Sequence, residues 1–283
     1  MFKQITIVGT GLIGGSIGLA LKRARFRGKI VGCDAPEVIA VATKRKAIDA
    51  GARDCGQALR GSDLVILATP VGGIIDFLDR FGPLLGDRAF VTDVGSTKEE
   101  IVARARQVFG RDVARHFLGG HPMAGREHAG IAHADAKLFE GALWFLTPAA
   151  GQDLDAGPAA AWAALVAAMG ARVTTIAPDR HDRLVAFTSH LPQLVSTALA
   201  SSVADFGQQF AADFADDLDP RDAAGSGLRD MTRLAASPYA MWRDIALTNS
   251  ANIADALSQL EQKLAHLREN LRTRALAEEF ARA

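Results

Sequence analysis

Residues 5–25, ITIVGTGLIGGSIGLALKRAR, run from a short β-rich stretch through a glycine turn into a segment with helical spacing. The glycines Gly9, Gly11 and Gly14 form the pattern G-x-G-x-x-G. In such a strand–turn–helix unit the first glycine permits the tight turn, the second lets a pyrophosphate approach the backbone, and the third lets the helix pack on the strand. The stretch therefore predicts a dinucleotide-binding domain of the Rossmann type.

Asp34 ends the second β-rich run, KIVGC (29–33), where a carboxylate can accept hydrogen bonds from an adenosine ribose. The same carboxylate would repel the extra phosphate of NADP, although Lys44 or Arg45 in the next predicted helix could reach inward. We therefore predict NAD rather than NADP as the cofactor. A glycine turn that binds another ligand, or none, is the alternative. The predicted cofactor contacts are Gly9, Gly11, Leu12, Ile13, Gly14, Asp34 and Thr69.

Short β-rich runs alternate with helical patterns such as 12–25 and 97–109 through the first two-thirds of the chain. The later runs are LVILAT (64–69), AFVTDV (89–94), HFLGG (116–120), LWFLT (143–147) and RVTTI (172–176). This alternation predicts an α/β fold, with a doubly wound, mostly parallel sheet of buried strands. Beyond Pro178 the long segments 180–206 and 238–273 have helical spacing. We predict a Rossmann-type domain over residues 1–177 and an all-helical domain over 178–283.

The charges of the chain balance, with 32 Lys plus Arg against 32 Asp plus Glu. No overall field attracts nucleic acid or an anionic membrane surface, and we expect neither as a partner. No stretch approaches the roughly 20 apolar residues of a membrane span. The two cysteines, Cys33 and Cys55, suggest no disulfide framework, so we expect a cytoplasmic protein. The expected partner is a small-molecule substrate, with no metal at the site.

The segment DVGSTK (93–98) follows a predicted strand, which puts Ser96 and Lys98 at the carboxyl edge of the sheet, where ligands of open α/β folds bind. Ser96 can contact a substrate hydroxyl there. The alternative is that Ser96 is a helix N-cap, since with Glu99 it fits a capping box.

The segment GGHPMAGREHAG (119–130) reads as a glycine-rich loop after another predicted strand, and it carries His121 to the same edge. Oxidation of an alcohol needs a base that titrates near neutrality, and an imidazole meets that need. His121 is therefore the predicted catalytic base. A hydrogen-bonded loop histidine without a catalytic role is the alternative.

Six ordered motifs extend over nearly the whole chain and resemble the prephenate/arogenate (cyclohexadienyl) dehydrogenases of tyrosine biosynthesis. They are IVGTGLIGGS (7–16), DVGSTK (93–98), GGHPMAGREHAG (119–130), LFEGALWFLTP (138–148), SHLP (189–192) and GLRDMTRLAASPYAMWRDIALTN (227–249). The resemblance implies NAD-dependent oxidative decarboxylation of prephenate to 4-hydroxyphenylpyruvate, of arogenate to tyrosine, or of both. It also implies a homodimer formed through the helical domain.

By this resemblance His121 is the catalytic base or hydrogen-bond acceptor for the ring hydroxyl, Ser96 is its partner, and Arg233 binds a substrate carboxylate. Further substrate-binding positions match His190, Glu127 and Trp242. Alternatives stay open: Arg233 can be solvated or paired with Asp230, and Trp242 can belong to the core or the dimer interface. Glu127 can contact the substrate or orient Arg233.

The chain departs from the family pattern at two positions that we also assign to substrate binding. Gln193 follows SHLP where many relatives have a second histidine, and Gln cannot become cationic near neutral pH. This change favours broad or arogenate-accepting specificity. Arg126 stands where relatives often have a smaller residue, and it either contacts a carboxylate or points into solvent.

Two other functions compete with this prediction. A two-domain reductase of the β-hydroxyacid or imine-reductase kind would also join a glycine turn to a helical half, but the HPMAG motif after DVGSTK counts against it. A catalytically silent NAD-binding sensor would need the glycine turn but none of Ser96, His121, His190 and Arg233.

Overall fold

The chain, described by a computed structural model over residues 2–85, 89–125, 128–214 and 223–282, divides into two compact units. The first comprises Met1–Asp182 with Tyr239–Thr248, and the second comprises Arg183–Pro238 with Asn249–Ala283. Sequence patterns place one boundary after residue 177, whereas this division comes after Asp182 and returns one later helix to the first unit.

The first unit contains an eight-stranded sheet in the order β3-β2-β1-β4-β5-β6-β7-β8, parallel throughout except for the β6–β7 pair. The strands are β1 (Gln4–Val8), β2 (Lys29–Cys33), β3 (Ala50–Ala52), β4 (Leu64–Leu67), β5 (Phe90–Asp93), β6 (Phe117–Pro122), β7 (Leu143–Thr147) and β8 (Arg172–Thr175). The predicted Rossmann-type fold is confirmed. Strand β3, of sequence AGA, has no β-rich pattern and was not predicted.

Helices cover both faces of this sheet and form the second unit. In the first unit they are α1 (Leu12–Arg23), α2 (Pro36–Lys44), α3 (Cys55–Ala58), α4 (Val71–Leu85), α5 (Glu99–Phe109), α6 (Val113–His116), α7 (Gly157–Ala168) and α11 (Tyr239–Thr248). Helix α8 (Pro178–Val185) crosses the division, and α9 (Leu191–Phe214), α10 (Ser226–Thr232), α12 (Ser250–Glu269) and α13 (Arg274–Arg282) lie in the second unit. None of these helices combines the length and hydropathy needed to cross a bilayer.

The central strands are buried on both faces, because helices cover each side of the sheet. In β4, Leu64 and Ile66 pack into one hydrophobic core, while Val65 and Leu67 pack into the other. This continuous apolar run is typical of a parallel strand. The prediction that every run is a buried strand is wrong for β8, which is largely exposed because it lies at the edge of the sheet.

The two cysteines form a disulfide, contrary to the expectation from the sequence. Cys33 ends β2, and Cys55 begins α3 just after β3, which pairs with β2. Their Cα atoms lie 5.7 Å apart although 22 positions separate them in sequence. Because disulfides persist in oxidising compartments, the cysteine content no longer supports a reducing one.

Helix α11 belongs to the first unit through two polar contacts. The backbone N–H of Gly72, in α4, donates to Asp244 Oδ2 at 2.9 Å. The hydroxyls of Thr97 and Thr248 lie 2.7 Å apart. These contacts join the helix to the sheet domain although the paired residues are 172 and 151 positions apart in the chain.

Candidate active site

The glycine turn after β1 is built by close backbone approaches. Gly9 has φ +89°, and a Cβ there would lie 2.6 Å from the carbonyl oxygen of Ala68. A Cβ on Gly14 would collide with the carbonyl oxygen of Gly9. Both positions therefore exclude any side chain, as the fingerprint requires of the tight turn and of the helix–strand packing.

A cavity of about 530 Å³ opens at this turn, at the carboxyl ends of β1, β2 and β4. Its lining includes Gly9, Gly11, Asp34 and Thr69, four of the predicted cofactor contacts. No atom lies within 4 Å of a Cβ built on Gly11, so this backbone faces open space. The buried Thr69 hydroxyl has no hydrogen-bond partner among the described residues. Open backbone and an unsatisfied hydroxyl fit a cavity that holds a polar ligand such as a dinucleotide.

The other three predicted contacts begin helix α1 rather than lining the cavity. Leu12 and Ile13 form its first turn, and Gly14 is buried against Gly9. Their amides lie at the helix N-terminus, the end that favours negative charge. The first turn thus supplies backbone and dipole rather than side chains.

Asp34 joins the cavity wall to the glycine turn. Its Oδ2 accepts hydrogen bonds from the backbone N–H and the hydroxyl of Thr10, at 2.6 and 3.3 Å, and its Oδ1 accepts from the N–H of Ala35 at 2.7 Å. Arg53, just after β3, lines the same cavity and was not predicted. The signal in the sequence would have been a cation directly after a third strand, but AGA does not reveal that strand.

A buried ion pair organises the turn after β5. Lys98 and Asp93 have fully buried side chains and form a salt bridge. Asp93 also accepts hydrogen bonds from the N–H of Gly95 at 2.8 Å and of Gly120 at 3.1 Å. Burial raises the pKa of Asp93 and lowers the pKa of Lys98, and the ion pair opposes both shifts. Lys98 follows β5 at the carboxyl edge, as predicted, but its ammonium group is buried in this ion pair.

Asp182, rather than Ser96, caps helix α5. Its Oδ1 accepts from the N–H of Lys98 at 2.7 Å, and its Oδ2 accepts from the N–H of Glu99 at 2.9 Å. Lys98 is the N-cap residue of α5, and its own side chain makes no capping hydrogen bond. The N-cap alternative for Ser96 is wrong, because a carboxylate distant in sequence takes that role. Ser96 is half-buried beyond the end of β5.

His121 lies on strand β6, opposite Phe145 of β7, rather than in a loop. It is buried, and its Nδ1 lies 2.9 Å from Nε2 of His181. Nδ1 of His181 in turn lies 2.7 Å from Oδ1 of Asp182. The His181 ring also meets Phe145 edge-on, with 5.2 Å between centroids. Burial lowers the pKa of His181, and the hydrogen bond with Asp182 opposes this shift.

His181 and Asp182 were not predicted as site residues. They lie at the start of the first long helical segment after RVTTI, where polar residues are typical of a solvent-exposed helix N-terminus. Only the contact with β6, sixty residues earlier, reveals their place.

Three predicted residues lie in the second unit: His190, Gln193 and Arg233. His190 is buried on a π-helical turn, Ala186–His190, and its Nδ1 lies 3.2 Å from Nδ2 of Asn249. Gln193 is also buried, and its Nε2 donates to the carbonyl oxygen of Leu234 at 2.7 Å. That contact holds the 3-10 turn that begins with the exposed Arg233.

The remaining predicted residues fall elsewhere. Trp242 is half-buried on α11 and thus belongs to the first unit. Arg126 and Glu127 lie outside the described residues. The first unit therefore contains the cavity, Ser96 and His121, while the second contains His190, Gln193 and Arg233.

Two family profiles match the chain. Residues 17–175 match "Prephenate dehydrogenase, nucleotide-binding domain", and residues 177–283 match "Prephenate dehydrogenase, dimerization domain". The chain is 36% identical to the prephenate dehydrogenase of Bacillus subtilis over 270 residues, which cover 95% of this chain and 70% of that protein. It is 30% identical to the cyclohexadienyl dehydrogenase of Zymomonas mobilis over 276 residues, covering 95% and 88% of the two chains.

Two solved structures are similar to this chain over nearly its whole length. The prephenate dehydrogenase of A. aeolicus, in complex with hydroxyphenyl propionate and NAD+, superposes with a TM-score of 0.88 at 32% identity, covering 100% of this chain and 94% of that one. The arogenate dehydrogenase of Synechocystis superposes with a TM-score of 0.78 at 28% identity, covering 99% and 96%.

Substitution of two glycines tests the cofactor cavity. Gly11→Ala should fold normally, because no atom crowds the new methyl. It should weaken NAD binding by about tenfold or more, because the methyl fills the space where a pyrophosphate approaches the backbone. Gly14→Ala should instead lower the thermal unfolding temperature. Calorimetric titration with NAD and thermal unfolding measure both effects, and an unchanged NAD affinity in Gly11→Ala would contradict the assignment.

Proposed function

Because the chain belongs to the prephenate dehydrogenase family, we propose that it uses NAD to oxidise and decarboxylate prephenate, arogenate or both. The observation that carries the proposal is the buried His121 at the carboxyl edge of the sheet that also bears the nucleotide turn. An alcohol dehydrogenation needs a base beside the bound cofactor, and ligands of open α/β sheets bind at this edge.

The cavity residues are suited to hold NAD. The open backbone at Gly11 and the N-terminus of α1 would receive the pyrophosphate, and Asp34 would accept hydrogen bonds from the adenosine ribose. When bound, the nicotinamide supplies the hydride acceptor. Asp34 favours NAD because a carboxylate repels a ribose phosphate. Arg53 lines the same cavity, and its positive charge would attract a ribose phosphate, which limits the preference for NAD over NADP.

His121 is proposed to accept the proton of the substrate hydroxyl and to return it at the end of the reaction. In the oxidation, the carbinol C–H bond breaks and its electron pair leaves as hydride, the hydroxyl proton passes to His121, and a C=O bond forms. The dienone then loses its ring carboxylate as carbon dioxide, and the electron pair of the broken C–C bond moves through the ring to make a phenolate. This oxygen takes the proton back, so His121 ends neutral. Aromatisation drives the second step, and the protein needs chiefly to hold the ring in one pose.

Arg233 is the proposed ligand of a substrate carboxylate, since a guanidinium binds it through two parallel hydrogen bonds. Ser96 is the proposed partner of the ring hydroxyl, and His190, Trp242, Glu127 and Arg126 remain proposed substrate contacts. Because Gln193 Nε2 already donates to Leu234, its amide oxygen is the atom left for a substrate. An acceptor there favours the ammonium group of arogenate over the keto group of prephenate.

The second unit supplies the proposed homodimer interface. Several of its large apolar side chains are exposed in the single chain, as expected of surface that a partner copy covers. They are Phe206 (55% exposed), Leu264 (55%), Leu271 (64%) and Phe280 (77%).

Light scattering in solution tests this assembly. We expect twice the 29.9 kDa mass of the chain, and the mass of a single chain would contradict the proposed dimer.

Absorbance of reduced nicotinamide tests the proposed activity directly. The purified chain is supplied with NAD or NADP, each with prephenate or arogenate, and NAD should be reduced rapidly with at least one substrate. His121→Asn should bind NAD as the parent does but turn over about 10²–10⁴-fold more slowly, because it lacks the base. Silence in all four combinations, with NAD still bound, would favour a silent sensor or another reductase.

Arg233→Ala tests the carboxylate contact. Removal of the guanidinium should raise the substrate KM by about tenfold or more while the NAD affinity stays unchanged, because Arg233 does not line the cofactor cavity. The matched control is Arg229→Ala, an exposed arginine of α10 that should leave KM near the parent value. Equal KM values for both variants would remove Arg233 from this role.

A further inference from the structure

Three buried side chains form a line of hydrogen bonds that includes the proposed base. Asp182 Oδ1 lies 2.7 Å from Nδ1 of His181, and Nε2 of His181 lies 2.9 Å from Nδ1 of His121. His181 and Asp182 are fully buried and consecutive on α8, whereas His121 is on β6. Both contacts have hydrogen-bond length, so each must contain one proton.

The position of each proton follows from the Asp182 end. Each oxygen of Asp182 accepts a backbone N–H, from Lys98 and Glu99, at the N-terminus of α5, where a negative charge is stabilised. A carboxylate so placed is an acceptor, so Nδ1 of His181 carries the proton of the first contact. Burial lowers the pKa of His181, which keeps this ring neutral with a single proton.

A neutral imidazole with its proton on Nδ1 has an unprotonated Nε2. Nε2 of His181 is therefore an acceptor, and the proton of the second contact belongs to Nδ1 of His121. Neutral His121 must then have its lone pair on Nε2. The line thus determines which nitrogen of the proposed base can accept a proton.

We propose that His181 and Asp182 are positioning residues that hold His121 in the Nδ1–H tautomer, so that its Nε2 accepts the proton of the substrate hydroxyl. This inference rests on the proposed role of His121 as the base. The line also stabilises the imidazolium that His121 forms during the reaction. The Nδ1–H of His121 stays hydrogen-bonded to His181, and the negative charge of Asp182 lies on the other side of His181. Two further buried charges lie near this line: Lys98, which opposes protonation of His181, and Asp93, which forms a salt bridge with Lys98 and, like Asp182, favours protonation of His181.

A substitution at His181 tests this role without disturbing the capping of α5, because the carboxylate that caps the helix belongs to Asp182. His181→Leu removes the acceptor for His121 but leaves the cap and fills a similar volume. His181→Gln keeps a side-chain oxygen that can accept from His121. The matched control is His133→Leu, an exposed histidine outside the line.

The first test is the ring nitrogen spectrum of His121 in the full chain labelled with ¹⁵N-histidine, assigned by its loss in His121→Asn. We expect a protonated Nδ1 and an unprotonated Nε2 in the parent chain and in His133→Leu, and loss of this preference in His181→Leu. A proton on Nε2 in the parent chain would overturn the proposal, whether or not the chain turns over any substrate.

Kinetics give the second test. In His181→Leu, kcat should fall about 10²–10⁴-fold with substrate KM and NAD affinity nearly unchanged, and His181→Gln should recover at least about tenfold of that loss. A kcat for His181→Leu within about threefold of the parent would refute the positioning role. Absence of turnover in the parent chain would instead refute the proposed function, and the nitrogen spectrum would still decide the tautomer.

Discussion

Two buried carboxylates, Asp93 and Asp182, hold together the edge of the sheet on which the site is built. Asp93 accepts from Lys98 and from backbone N–H groups on the turn after β5 and on β6. Asp182 accepts from the first backbone N–H groups of α5 and from His181. Burial of a carboxylate is costly unless its oxygens are satisfied, so these bonds must form together. The same bonds that satisfy the two charges also determine where His121 lies.

The register of the parallel strands brings the cofactor cavity and the polar groups around Asp93 and Asp182 to the carboxyl edge of the sheet. Val8 of β1 is paired with Leu67 of β4, and Leu67 is paired with Asp93 of β5. The chain segments that follow these strands therefore leave the sheet at the same level. The glycine turn follows β1, Thr69 follows β4, and the DVGSTK turn follows β5. A dinucleotide site and a proton acceptor share this edge because the strands are parallel, and an antiparallel sheet would separate them.

The fold was largely predictable because its signals are local. The glycine turn, the apolar runs and the helical spacing each lie within about a dozen consecutive residues. The features that the sequence did not predict depend on contacts between residues distant in sequence. These contacts are Cys33 with Cys55, Asp182 with the N-terminus of α5, and His181 with His121. A single sequence contains no signal for such pairs. His121 was predicted from its residue type and position, but the groups that orient it became visible only in three dimensions.

The most direct test of the account is a crystal structure of the chain with NAD and an unreactive substrate analogue that keeps the ring hydroxyl. We expect the hydroxyl oxygen within about 2.6–3.2 Å of Nε2 of His121, the range in which a base can take the proton, with Nδ1 still bonded to His181. A hydroxyl bound to another side chain, with His121 Nε2 beyond hydrogen-bond distance, would contradict the assignment of His121 as the base.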